Sequence, residues 1–214
     1  SGKEVEQVER VTDRLVAAVK AEQPEIGALF EWEVRVIDNR EVANAFCLPG
    51  GKMAVYTGIL PVAESDAGLA VVMGHEIAHA TRRHGTAAMT RQVGLTALIQ
   101  YALEGPVSQA LAGLGSQLAQ LKFGRDAELE ADHDGLFFLA RAGYDPRAAV
   151  AFWQRMQAKS GGGGSSTLGQ WLSTHPYDGQ RIRQLEALLP EALAIWQEAS
   201  GKAPKAPGKK GVKL

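Results

Sequence analysis

Apolar residues open the chain at Val5, Val8, Val11, Leu15, Val16 and Val19, a spacing that lines one face of a helix and predicts an amphipathic α-helix over 3–21. Pro24 and Gly27 then break the pattern. The period changes to two over 30–38, where Trp32, Val34 and Val36 alternate with Glu31, Glu33 and Arg35 as on a half-exposed strand. Two further strands are expected at 42–48 and 52–57, reversed through Pro49, Gly50 and Gly51, so that 30–57 makes a small antiparallel sheet. The strand over 52–57 is either an open edge that takes up an extended substrate or an edge covered by a loop.

Helical patterning returns after Pro61. Ser65 is placed to cap a helix over 65–84, with Asp66 in its first turn and Gly85 as its stop. Residues 86–121 keep a helical period that breaks at Gly105 and Pro106, as in a hairpin or lid. A strong helix covers 126–142, closed by Gly143 and Pro146, and another runs to about residue 159. A Gly/Ser loop follows at 160–166, and the segment 168–199 beyond it is too short for a core of its own. The reading is one domain over 1–200 with a disordered basic tail at 201–214.

Composition changes this picture little but excludes several functions. Hydrophobic residues at 45% and charged residues at 22% fit a folded chain with a real core. A net charge of -1 provides no overall field to attract nucleic acid, so none is expected as a partner. No apolar run reaches the roughly 20 residues that cross a bilayer, and no transmembrane segment is expected. Cys47 is the only cysteine, which rules out an intrachain disulfide and a thiolate-rich zinc site. It reads as a small buried side chain. The chain starts Ser1, Gly2 without a methionine, as a chain does once a targeting segment has been removed.

Chemistry concentrates at His75, Glu76 and His79 on the predicted helix 65–84. Residues four apart on a helix are turned by about 40° and offset by about 6 Å, so both imidazoles can converge on one ion. Glu76 beside them can reach a water without occupying the ion's own position. Neutral imidazoles with a carboxylate suit zinc, whose catalytic sites keep one position open. On helix 126–142, Glu128 and Asp132 share a face at the same spacing; the first can complete a zinc site and the second can fix a ligand histidine from behind. Spacing alone is weak there. Glu130 reads as a solvated neighbour, and His84 and His133, each five residues after a candidate ligand, as surface or outer-layer residues.

With these residues the sequence resembles metallopeptidase family forty-eight, typified by HtpX and the CAAX-prenyl protease, which pairs HExxH with a downstream ExxxD. The likeness extends from Asn44, Ala45 and Phe46 through Gly51, to Ala142, Gly143, Tyr144, Asp145 and Pro146, and to Ser173, Thr174, His175 and Pro176 ahead of Arg181 and Ile182. It implies an α+β, mostly helical, zincin-like fold and one Zn2+ held by His75, His79 and Glu128, with Asp132 behind. It places His175 over the site as a donor to the oxyanion, a resting latch on the open position, or a loop-ordering group. Arg181 either binds the oxyanion or pairs with an acidic neighbour. Gly124 stands where a serine often precedes the arginine, which leaves Arg125 without a role.

The chain departs from the family's membrane branches and looks like the soluble extracytoplasmic one, hence periplasmic, with peripheral envelope association. The expected function is a zinc endopeptidase in bacterial envelope quality control, acting on unfolded or misassembled protein with Glu76 as general base. The alternative is a chaperone-like assembly factor that holds zinc behind a latched, weakly active site.

Overall fold

The structure, a computed structural model, describes residues 2–88, 123–160, 168–176 and 179–201. The opening helix, α1 (Gly2–Glu22), buries Val8, Val11, Leu15 and Val19 completely along its apolar stripe. A short α2 (Pro24–Leu29) leads into the sheet. Its strands are β1 (Glu33–Ile37), β2 (Ala45–Cys47) and β3 (Lys52–Tyr56), in the spatial order β1-β3-β2.

The hairpin reversal is as expected: Gly50 and Gly51 hold φ of 93° and 94°, and β2 pairs antiparallel with β3. The remaining pairing corrects the sequence reading. β1 runs parallel to β3, with Glu33 opposite Lys52, so the sheet is mixed and β3 is its central strand rather than an edge. The physical reason lies in side-chain character. Met53, Ala54 and Val55 are all buried, as a strand covered on both faces requires, whereas β1 is partly exposed along its whole length.

After a short α3 (Leu60–Ala63), Ser65 caps α4 (Asp66–Thr81) by accepting a hydrogen bond from Gly68 N at 3.1 Å. Gln7 and Arg10 of α1 donate to Asp66 at 2.9 and 2.8 Å and tie that helix start down. Every residue from Gly68 to Thr81 is buried, because α1, α3, β2 and the later helices surround α4. The expected stop at Gly85 is also corrected. α4 ends at Thr81, Arg83 takes the left-handed conformation with φ of 60°, and a new helical stretch begins at His84.

Four further helices are described: α5 (Arg125–Arg141), α6 (Arg147–Ser160), α7 (Leu168–Thr174) and α8 (Gly179–Gly201). Gly143, at φ of 79°, terminates α5 as the sequence predicts. α5 packs against both α4 and α8. The crossing of α4 and α5 runs through Gly74 and Gly135. A Cβ on Gly135 would lie 3.0 Å from His75 N and 3.1 Å from Gly74 C, so the two backbones meet with no side chain between them. Residues 89–121 of the expected lid, 161–166 of the Gly/Ser loop and 202–214 of the tail lie outside the described residues. Among those described, no helix is long and apolar enough to cross a membrane.

Candidate metal centre

The close approach of α4 and α5 sets His75 and His79 opposite Glu128. All three are almost wholly buried, as is His175, which follows α7 with its backbone N–H on Trp171 O at 2.9 Å. One ligand atom from each of the four lies within 4.8 Å of the others. The individual separations are shorter. His75 Nε2 is 3.0 Å from His79 Nε2 and 3.4 Å from Glu128 Oε2, and Glu128 Oε1 is 3.4 Å from His79 Nε2. His175 Nδ1 is 3.2 Å from His75 Nε2 and 3.1 Å from Glu128 Oε1.

Bonds of about 2.0–2.1 Å in a tetrahedral zinc site place ligand atoms about 3.3 Å apart. The distances among the imidazoles of His75, His79 and His175, where His75 lies 3.0 and 3.2 Å from the other two, and from each imidazole to one or other Glu128 oxygen fall near that spacing, with all four ligand atoms within 4.8 Å of one another. The donor set fits too: three imidazoles and a carboxylate suit zinc, and their lone pairs crowd one point, an arrangement that a cation stabilises.

Two chains of polar contacts hold the ligands from outside. His75 Nδ1 lies 3.0 Å from Asp132 Oδ1, and Arg181 grips Asp132 in bidentate fashion at 2.6 and 2.7 Å. Arg181 Nη1 also reaches Glu128 Oε2 at 2.6 Å, while the guanidinium stacks 3.7 Å above the Trp153 ring. Of the two roles open to Arg181, this geometry is that of the acidic pairing. On the other side His79 Nδ1 lies 2.9 Å from His84 Nδ1, and His84 Nε2 lies 3.0 Å from Glu130 Oε2. Phe123 stacks on His79 with ring centroids 4.0 Å apart.

Sequence spacing separates His84 from this cluster, and Glu130 reads there as solvated. Both belong to it because the left-handed turn at Arg83 folds the chain back beside His79. A glycine would have announced that turn; an arginine does not. His133 does lie apart, 2.9 Å from Asp134 Oδ1, which also receives Arg82 at 2.6 and 2.8 Å.

The electrostatics differ sharply between neighbours. Burial alone would depress His75, but Asp132 and Glu128 outweigh it and hold the imidazole up at about 9. His79 goes the other way: burial takes it well below the ordinary value, and Glu128 does not compensate. Burial opposes ionisation of Glu128, yet His175, His75 and His79 drive its carboxyl far below the usual range. Asp132 is lowered despite burial because Arg181 faces it.

Glu76 is the exception among these acids. Burial raises it, with only partial opposition from His175 and His75. Its Oε1 sits 3.3 Å from His175 Nε2 without hydrogen-bond geometry, and no other group in the described structure satisfies that oxygen. A buried carboxylate, its pKa raised by burial and with no hydrogen bond at Oε1, thus lies against the ligand cluster beside His175. Glu76 and His79 line a cleft with Asn44, Phe46, Cys47 and His175, so the β2 edge of the sheet borders the site. Cys47 is buried there and its thiol is pushed up well beyond the ordinary range, mainly by burial, which leaves it inert as a nucleophile.

Comparison with known proteins agrees with this chemistry. A mitochondrial metalloendopeptidase OMA1 of Arabidopsis thaliana is 42% identical over 170 residues, covering 78% of this chain and 34% of the relative. The protein of the same name from Schizosaccharomyces pombe is 39% identical over 190 residues, covering 86% of this chain and 53% of the relative. The beta-barrel assembly-enhancing protease of Escherichia coli is 33% identical over 161 residues, or 69% of this chain and 32% of the relative. The chain therefore spans about a third to a half of the length of these relatives. Metalloproteases of the M48 type use zinc, which is the ion the four converging groups suit. Residues 3–189 match the description Peptidase family M48, a span that contains every group described above, and the chain belongs to that family.

Proposed function

We propose that the chain is a zinc-dependent endopeptidase in which His75, His79 and Glu128 hold the ion and Glu76 is the general base. The observation that carries this reading is the buried Glu76 carboxylate, with no hydrogen bond at Oε1, beside four converging groups that could hold one ion. Zinc bound there supplies Lewis-acid polarisation of the scissile carbonyl and a water acidified toward neutral pH. Glu76, kept basic by burial, is the group that would accept a proton from the attacking water and return it to the leaving amine. Asp132 and Arg181 keep His75 and Glu128 aimed inward. An extended polypeptide lies along β2, the sheet edge that borders the cleft, through backbone hydrogen bonds.

One relative is named for metalloendopeptidase activity and another for enhancing beta-barrel assembly, and the role in quality control of unfolded or misassembled polypeptide is part of this proposal. Those names divide between mitochondrial and bacterial proteins, and the extracytoplasmic, periplasmic setting with peripheral envelope association belongs to this proposal. A second reading is favoured by His175, whose Nδ1 lies 3.2 Å from His75 Nε2 and 3.1 Å from Glu128 Oε1. As a resting latch, it closes the position that water needs, and the protein then acts mainly as an assembly factor with a weakly active site.

Turnover of a denatured protein by the zinc-loaded chain tests both. Glu76→Gln retains one zinc per chain and loses at least about 100-fold in rate. Undiminished cleavage by that variant rejects the endopeptidase reading. His175→Ala raises the rate where His175 is a latch and lowers it where it is a donor to the oxyanion.

A further inference from the structure

We propose that Arg83 makes this cleft select polypeptides carrying an Asp or Glu side chain within about three residues of the scissile bond, an ordinary reach for an extended chain of about 3.3 Å per residue beside one long side chain. The inference rests on the endopeptidase reading and names a substrate class for it. Two independent observations carry it. The first is conformational: Arg83 follows α4 at φ of 60°, a left-handed position at a helix end where glycine is the default. A long side chain with a Cβ is disfavoured there, and non-glycine outliers of this kind cluster at ligand sites.

The second is the contrast with its neighbours. Arg82 is committed to Asp134, and Arg181 to Asp132 and Glu128. Among the described residues Arg83 has no carboxylate partner; it is exposed and lines the same cleft as Glu76, His79 and Phe46. No other arginine or lysine lines that cleft among the described residues. A capping cation at the end of α4 would need no place in the cleft, and Arg82 already stands at that helix end. An exposed arginine at the lining of a substrate cleft, with no carboxylate partner among the described residues, is matched by a carboxylate on the substrate through paired charge-assisted hydrogen bonds.

Cleavage positions in a digested, denatured protein, mapped by mass spectrometry, give the first test. The zinc-loaded wild-type chain is expected to show about fivefold enrichment of Asp and Glu near the cut, the scale of an exposed ion pair. Arg83→Gly, which suits the backbone and removes the charge, abolishes the enrichment; Arg83→Glu shifts it to Lys and Arg; Arg83→Lys retains it. The preference declines as salt is added. An even distribution around wild-type cuts, or unchanged enrichment in Arg83→Gly, overturns the proposal.

A second measurement separates it from the reading beneath it. Labelled peptides that differ only by Glu for Gln are titrated against zinc-loaded Glu76→Gln and against Glu76→Gln/Arg83→Gly. Arg83-dependent preference for the acidic peptide, in a chain whose wild type cuts nothing, sinks the endopeptidase reading and keeps the charge selection. Cuts without charge preference do the reverse. Absence of both cleavage and charge-dependent binding removes both.

Discussion

His75 and His79 share one face of α4, yet their proton affinities move apart. In the folded chain without zinc, His75 keeps its proton up to about 9, against an ordinary value of 6.5. That proton therefore stabilises the ion-free fold fully below pH 6.5, and the benefit is lost as pH rises to about 9. His79 is already neutral across this window. Zinc needs the neutral imidazole of His75, so its affinity should climb about tenfold per pH unit between 7 and 9. Chelator-competition isotherms at pH 7, 8 and 9, with melting curves of the ion-free chain, should thus slope in opposite directions. Equal zinc affinity at the three pH values would contradict the pairing of His75 with Asp132. That His75 and His79 converge was legible from their four-residue helical spacing, whereas Glu128 was reached only through the family resemblance. His84 and Glu130 were not legible, because their contact with His79 depends on a left-handed arginine that no residue type signals.

At the scale of elements, the site exists because α4 and α5 can touch backbone to backbone at Gly74 and Gly135. With an ordinary interaxial distance of 8–10 Å, ridges of side chains would keep the histidines and Glu128 further apart. Gly135→Ala places a methyl group 3.0 Å from His75 N, against backbone that has little room to yield. The expected cost is about 2 kcal/mol in urea unfolding, together with a loss of zinc affinity of at least about tenfold. Gly124→Ala, at the N-cap where a Cβ meets nothing within 4 Å, should cost about 0.5–1 kcal/mol through the poorer cap and leave zinc affinity alone. Equal effects from the two variants would remove the glycine contact as the cause. Helix positions of this kind were readable from capping residues and periodicity: Ser65 and Gly143 act as the sequence predicts. Strand order was not, because period-two patterning shows which face is buried and not which neighbour lies alongside. β3 is central because β1 pairs with it on one side and β2 on the other.

Across the whole molecule, the four converging groups come from three separate stretches of chain. His75 and His175 are 100 positions apart in sequence, and Glu128 lies 47 from His175. An unfolded chain has no means of presenting them together, so zinc binds the folded state almost exclusively and its binding energy becomes folding energy. At a free zinc concentration about 1,000 times the dissociation constant, that linkage is worth about 4 kcal/mol. For a chain of this size, about 4 kcal/mol corresponds to a melting point roughly 10 °C higher. Removing zinc also strands Glu128 and three imidazoles together in a buried space, where Arg181 and the proton on His75 offset part of the carboxylate charge. A chelator should therefore lower the melting temperature by about 10 °C, and added zinc should restore it. Calcium or magnesium should not, because their preference is for oxygen ligands. The same melting temperature with and without chelator would mean that the four groups converge for a reason other than a metal ion, and the endopeptidase reading would lose its foundation.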